Sequence, residues 1–415
     1  MVDSKIKRYN MKTNLKNALY IGTLCSVAYL AVYFARNILS VVTNNMIEAD
    51  GFTDSYAGNA GAFFFAFYAV GQLINGIVGD KIKAKYMMSL GLLLAGATNL
   101  IFSLTAVSNP DAALFIYGLT GFFLAMIYGP MTKLVAENTD PIYTTRCSLG
   151  YTFSSFFGSP LAGLLAGFLA WQSVFAIGSI TLFVMAACCF IFFTIFERKG
   201  IVKYGQFKRE SGDGRKLSFA ESVKLLCKHR IVKFSLISII TGIVRTSVVF
   251  WLPTYIASYL GFSSENSAFI FSIATLVIST TAFISVFVYE RLGNNMDKTI
   301  LVMFSAAAVF FACTYFIKAS VPNIVFITLA VMASNASATM LWSKYCPSLR
   351  DTGMVSSATG FLDFLSYLAA AVSNAVSPIM VDAIGWKNLI AVWFGLMIAG
   401  IAVALPYGKM HKIKK

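Results

Sequence analysis

Long apolar runs and short polar breaks alternate along the chain from end to end. The runs fall at 18–43, 58–79, 87–107, 111–135, 147–168 and 174–196, then at 231–259, 266–289, 299–318, 322–343, 354–380 and 388–406. About 20 apolar residues suffice to cross roughly 30 Å of hydrocarbon as a helix. The twelve runs therefore predict an all-α membrane protein with twelve transmembrane helices. A transmembrane β-barrel is written in short alternating segments instead, and the chain shows none. The first run is too long for the apolar core of a secretory signal. It also has no small-residue cleavage site, so it is expected to remain as the first span.

The polar breaks carry charge unevenly. The N-terminal stretch holds Lys5, Lys7, Arg8, Lys12 and Lys16, the break after the second run reads DKIKAKY, and the C-terminus reads GKMHKIKK. The break at 44–57, NNMIEADGFTDSYA, has neither Lys nor Arg. Basic loops stay on the cytoplasmic side, which places both termini in the cytoplasm of a multi-pass plasma (inner) membrane protein. One break stands apart: 197–230 is long, polar and basic, and Ser218 to Lys228 has the pattern of a short amphipathic helix lying on the membrane surface. It reads as a cytoplasmic linker between a half at 1–196 and a half at 231–415.

The two halves repeat one another. Gly51-Phe52 and Gly261-Phe262 follow corresponding runs at an offset of 210, as do Asp80-Lys81 and Glu290-Arg291; Lys133 and Lys344 lie 211 apart, and Arg36 and Arg245 lie 209 apart. Trp171 and Trp386 stand before the last run of each half. A duplicated six-span unit is the pattern of a transporter whose substrate site lies at the midplane between the halves.

Composition narrows the chemistry. Hydrophobic residues make up 58% of the chain and charged ones 12%, too few charges to cover a water-soluble surface. The net charge of +15 comes from tails and cytoplasmic breaks, so it reports orientation in the bilayer and no nucleic-acid partner. The seven cysteines show no paired spacing, and His229 and His411 sit in basic, loop-like contexts. No metal site, cofactor motif or nucleophile–base pair is written in the chain, which excludes an enzyme reading. A monomer is the default for two halves that enclose one site.

The costly charge is Arg36, inside the first run. Tyr33 and Tyr29 precede it at helical spacing, so the three side chains share a face. A cation inside a span points at a cavity, a partner or a substrate, or else snorkels to the interface. Its counterpart Arg245 lies near the middle of the seventh run, where snorkelling is harder.

Certain motifs carry a family resemblance. Gly76 to Lys85 reads G-I-V-G-D-K-I-K-A-K, which resembles the major facilitator signature Gly-x3-Asp-(Arg/Lys)-x-Gly-Arg-(Arg/Lys); Asp80 and Lys81 match it, and Lys83 and Ala84 depart from it. Such a loop gates, because a carboxylate at a helix end makes contacts that break as the halves rock. That implies gating roles for Asp80, Lys81, Glu290 and Arg291. Within that superfamily the chain resembles the organophosphate:phosphate antiporters, which include the glycerol-3-phosphate and hexose-6-phosphate transporters. The resemblance rests on Y-x3-Y-x2-R at Tyr29, Tyr33 and Arg36, on R-x5-W-x-P-T-Y from Arg245 to Tyr255, on Tyr68, and on T-G-x4-A-T-G-F-x4-S-Y from Thr352 to Tyr367.

The resemblance implies that Arg36 and Arg245 hold a substrate phosphate, with Tyr29, Tyr33, Tyr68 and Tyr367 around them. Planar guanidinium groups match phosphate oxygens bidentately. The expected partners are then a phosphate ester and inorganic phosphate, exchanged by alternating access.

The chain departs from the glycerol-3-phosphate transporters at several points. Gln72 stands where they have a lysine, a serine near Ser155 where they have a histidine, and Phe250 where they have an acid. Asp363 lies in the eleventh run, where they have a small neutral residue. Gln72 and Asn75 are expected either to hydrogen-bond substrate hydroxyls or to join helices. Asp363 is expected either to pair with an arginine or to take a proton. The second of these favours an alternative function, proton-coupled symport of an organic anion such as a sugar acid.

Overall fold

In the computed structural model the described residues are 15–79, 82–155, 157–204, 219–349 and 355–405, and they are helical almost throughout, with no strand among them. The first half comprises α1 (Leu15–Asp50), α2 (Asp54–Gly79), α3 (Ala84–Thr105), α4 (Pro110–Asn138), α5 (Pro141–Ser155), α6 (Gly158–Ala166) and α7 (Trp171–Arg198). A short helix, α8 (Phe219–Lys228), follows where the amphipathic pattern placed one. The second half comprises α9 (Ile231–Gly242), a π-helical turn at Ile243–Val248, α10 (Val249–Thr254), a second π turn at Tyr255–Tyr259, α11 (Ser264–Ile278), α12 (Thr281–Arg291), α13 (Met296–Phe316), α14 (Ser320–Met340), a third π turn at Leu341–Tyr345, α15 (Cys346–Ser348) and α16 (Val355–Ala404).

Among the described residues ten helical segments are long and apolar enough to cross a membrane. Two breaks account for the difference from the twelve runs. The fifth run is split into α5 and α6. The last two are carried by α16, which Gly385 interrupts at φ 77° and ψ 162°, a backbone that only glycine adopts without strain. Gly51 (φ 70°) and Gly261 (φ 78°) likewise end α1 and the second π turn in the left-handed region, so the repeat read from sequence reappears as one backbone device used twice. α1 runs seven residues past its apolar pattern before Gly51 stops it. Elsewhere side-chain caps start the helices: Asn109 accepts from the N–H of Ala112 ahead of Pro110, and Asn295 accepts from that of Lys298.

Large apolar side chains stand outward on these helices; Phe316 and Leu104 are among them, 76% and 71% exposed. Such a surface is matched by lipid and would aggregate in water. Inside, α3 packs between α4 and α7, and α13 packs between α14 and α16, the same arrangement in each half. The halves meet where α1 contacts α10 and α11, α2 contacts α16, and α6 contacts α11.

That meeting is one-sided. Among the described residues, the side-chain hydrogen bonds crossing between halves are Arg36 to Tyr367, Ser40 to the carbonyls of Phe250 (2.6 Å) and Val249 (3.5 Å), and Ser264 to Glu48. All three use α1 from Arg36 onward, toward Gly51. Here the helices approach closely: a Cβ on Gly163 would lie 2.1 Å from Ser272 Oγ and 2.7 Å from the Ala268 carbonyl, and one on Gly58 would lie 2.6 Å from the Asn374 carbonyl.

The ion pairs at the opposite end stay within a half. Lys83 and Lys85 reach Glu197, at 2.7 Å and 2.5 Å; Arg230 and Lys233 reach Asp297, at 2.7 Å and 3.2 Å. The Glu197 hydrogen bond holds the Lys83 ammonium above its ordinary pKa. Among the described residues the halves are thus sealed together at the 51–53 end and parted, with no side-chain hydrogen bond or ion pair between them, at the end where α7 leaves and α9 enters.

Candidate functional site

Arg36 sits on regular α-helix, one turn after Tyr33, which brings that ring beneath its guanidinium. Three more rings complete an enclosure. The Arg36 Cζ lies 5.3 Å from the Tyr33 centroid, 5.2 Å from Phe65, 5.1 Å from Tyr68 and 5.0 Å from Tyr367. Nη1 also donates to the Tyr367 hydroxyl at 3.2 Å. Arg36 makes no ion pair among the described residues. The negative faces of four aromatic rings support its charge in place of a carboxylate.

Arg245 sits in the π turn at Ile243–Val248. A π turn widens the helix, takes up an additional residue and marks functional positions often. The arginines are offset by 209 and the glycines by 210, so the second half holds one extra residue between them, over a stretch that contains part of this π turn and the whole of the one at Tyr255–Tyr259. Arg245 Nη2 donates to Ser366 Oγ at 3.4 Å, and its Cζ lies 5.6 Å from the Tyr367 centroid. Tyr367 is therefore shared by both cations. Its ring stacks parallel to Phe65 (6.1 Å, 3°) and meets Tyr68 edge-on (4.8 Å, 65°).

Asp363 lies one helical turn before Tyr367 on α16 and is half-buried. It forms no ion pair within 4.0 Å among the described residues, so the direct arginine–carboxylate contact that the sequence left open is not made.

The other sequence candidates divide. Tyr33, Tyr68 and Tyr367 join the arginines. Tyr29 does not touch Arg36; it packs behind Tyr33 (5.0 Å), against Tyr128 (5.6 Å) and Tyr151 (5.9 Å). Gln72 is half-buried and has no hydrogen bond to a described residue. Asn75 donates to the Phe122 carbonyl at 3.3 Å and so joins α2 to α4. Asp80 and Lys81 lie outside the described residues. Glu290 and Arg291 end α12 exposed, and Arg291 lies over Phe287 of its own helix (5.1 Å), engaging nothing across the halves.

Phe65 and Ser366 belong to the constellation and were not singled out from sequence. Phe65 precedes Tyr68 by three residues and so shares its face, but within AFFFAFYAV it reads as one more apolar position. Ser366, adjacent to Tyr367, had no such signal.

A known family matches this arrangement. The family model of the Major Facilitator Superfamily covers residues 25–373. The chain belongs to the major facilitator superfamily. It is a multi-pass membrane transporter by family, and no enzyme. Among curated proteins it is 22% identical to a glycerol-3-phosphate transporter of Bacillus subtilis (strain 168), over 98% of this chain and 94% of that one. It is 21% identical to a phosphoglycerate transporter protein of Salmonella typhimurium (strain LT2), over 93% and 88%. Both lie where the residue resemblance to the organophosphate:phosphate antiporters pointed. Among solved structures, that of a D-xylose–proton symporter superimposes with a TM-score of 0.69 at 13% identity, over 93% of this chain and 96% of that one, which speaks for the fold alone.

Proposed function

We propose that this superfamily member exchanges an organic phosphate, such as a sugar or glycerol phosphate, for inorganic phosphate by alternating access. The observation that carries the proposal is the pair of guanidinium groups, one from each half, flanking Tyr367 with no carboxylate in contact with either. A phosphate between them accepts bidentate hydrogen bonds from both and draws the halves together. Empty, the two cations repel, and closure around them is disfavoured. That asymmetry favours exchange over uniport. Arg36, Arg245, Tyr33, Tyr68 and Tyr367 bind the anion, with Asp363 beside it; Gln72 faces the rest of the substrate; Tyr29 backs Tyr33.

The rocking units are 1–196 and 231–415, joined by 197–230. The loop ends at Asp80-Lys81 and Glu290-Arg291 engage when the parted end closes. Both termini lie in the cytoplasm, the protein works as a monomer in the plasma membrane, and the parted end faces inward. The names of the two relatives support a phosphate-ester substrate.

Proteoliposomes loaded with inorganic phosphate should take up labelled glycerol phosphate faster than empty ones. Uptake indifferent to internal phosphate would overturn exchange. Asp363, unpaired beside the arginines, favours a second reading, proton-coupled symport of a carboxylate such as a sugar acid. Uptake of that acid driven by an imposed pH gradient and lost in Asp363→Asn would establish it.

A further inference from the structure

Asp363 changes the charge count of the site. Asp363 stands on α16 one turn before Tyr367, and the titratable side chains gathered on that ring are Arg36 from α1 (5.0 Å), Arg245 from the π turn (5.6 Å) and Tyr68 from α2 (4.8 Å). The formally charged groups there are the two guanidinium ions and the Asp363 carboxylate. The empty site then holds two guanidinium cations and one carboxylate, a net charge of +1. The carboxylate is not spent on a direct ion pair, so it remains a free acceptor beside the place where an anion would sit.

A site that closes between two protein halves, away from water, is least costly when its charges cancel. A phosphate monoester is dianionic above its second pKa of about 6. Bound as the dianion with Asp363 ionised, it leaves the closed site at −1. One added proton restores neutrality, and there are two places to put it, an Asp363 carboxylate oxygen or a phosphate oxygen. The two placements have the same total charge.

We propose that Asp363 makes this protein bind and carry its phosphate ester together with one proton from bulk solvent, so that the transported unit has a net charge of −1. This rests on the phosphate reading above and adds to it the charge state of the cargo. The site without the carboxylate, two arginines and a dianion, is already neutral and requires no proton. Asp363 is thus a positioning residue for charge, set one turn from the ring that both arginines share.

The test is the proton count on binding. Purified protein at pH 7.5 is titrated with glycerol phosphate, and separately with inorganic phosphate, by calorimetry in buffers of different ionisation enthalpy. The wild type should take up about one proton per glycerol phosphate bound, and fewer per inorganic phosphate, which is already partly protonated at that pH; its affinity for glycerol phosphate should rise about tenfold per pH unit as pH falls from 8 toward 7. Asp363→Asn should take up about none and lose that slope, and Asp363→Glu should restore both. Tight binding by the wild type with no proton uptake would overturn the inference while leaving the phosphate reading intact, and this measurement needs no variant to fold. Absence of phosphate binding altogether would overturn that reading and this inference with it.

Discussion

Arg36 and Arg245 occupy corresponding places in two halves of one repeat, yet the protein holds them differently. Arg36 rises from regular helix into four aromatic faces and a tyrosine hydroxyl at 3.2 Å. Arg245 rises from a π turn and has one ring, shared with Arg36, and a serine hydroxyl at 3.4 Å. The first guanidinium is fixed before any ligand arrives. The second is lightly held, on a π-helical backbone. Under the proposed function the difference would assign roles, with Arg36 as the fixed anchor of the anion and Arg245 as the group that approaches it when the halves close.

The sharpest break of that comparison is to replace each guanidinium by an ammonium. Arg36→Lys and Arg245→Lys should each lower phosphate exchange by about 100-fold, because a point charge cannot reproduce two bidentate hydrogen bonds of roughly 1.5–3 kcal/mol each. The empty proteins should differ. Losing the enclosure should cost Arg36→Lys about 1–2 kcal/mol of stability, seen as a lower Tm in detergent, whereas Arg245→Lys should stay near wild type. Equal Tm values would show that the enclosure does not fix Arg36.

Conformation gives the next effect. The unequal settings are seen with the 51–53 end sealed, and Gly163 is a place where that seal admits no side chain. In Gly163→Val, overpacking against the Ala268 carbonyl should cost this state about 2 kcal/mol, or ~30-fold in the balance between states. Spin-label distances between α6 and α11 should lengthen. Unchanged distances would mean that the contact yields without opening the seal.

Much of this was legible before the fold was seen, and the reason is physical. A membrane span must be long and apolar, and an arginine within one has few bland explanations, so the spans and Arg36 stand out by cost alone. Duplication then supplied Arg245. The packing partners were less visible. Phe65 reads as one more apolar residue in AFFFAFYAV, because an aromatic that faces a cation looks no different in sequence from one that faces lipid. Of the π turns at Ile243–Val248 and Tyr255–Tyr259 the sequence shows only a one-residue slip in the repeat. Tyr29 was placed on Arg36's face by helical spacing, which is correct, but seven residues is two turns, roughly 10 Å along the axis. Tyr33 fills the nearer position.

Tyr367 tests the shared element directly. Tyr367→Phe keeps a ring beside both cations and loses one hydrogen bond; Tyr367→Leu loses both ring contacts as well. Phosphate affinity should fall about threefold in the first and about tenfold in the second, from contacts of roughly 0.5–1 kcal/mol each. Equal losses in the two variants would make the hydroxyl, and not the ring, the part of Tyr367 that matters.

The smallest effect separates two amides on the helix that supplies Phe65 and Tyr68. Asn75 is buried and donates to the Phe122 carbonyl, a helix-to-helix hydrogen bond that within a membrane contributes about 0.6 kcal/mol. Asn75→Ala should therefore lower Tm slightly and leave ligand affinity unchanged. Gln72 lies one turn from Tyr68, half-buried, with no hydrogen bond to a described residue. Gln72→Ala should leave the Tm of the empty protein alone and weaken glycerol phosphate binding about threefold, with inorganic phosphate unaffected, since only the ester has hydroxyls to present. If both ligands weaken alike, Gln72 acts on the phosphate, and the Arg36 side of the site extends further along α2 than its four rings.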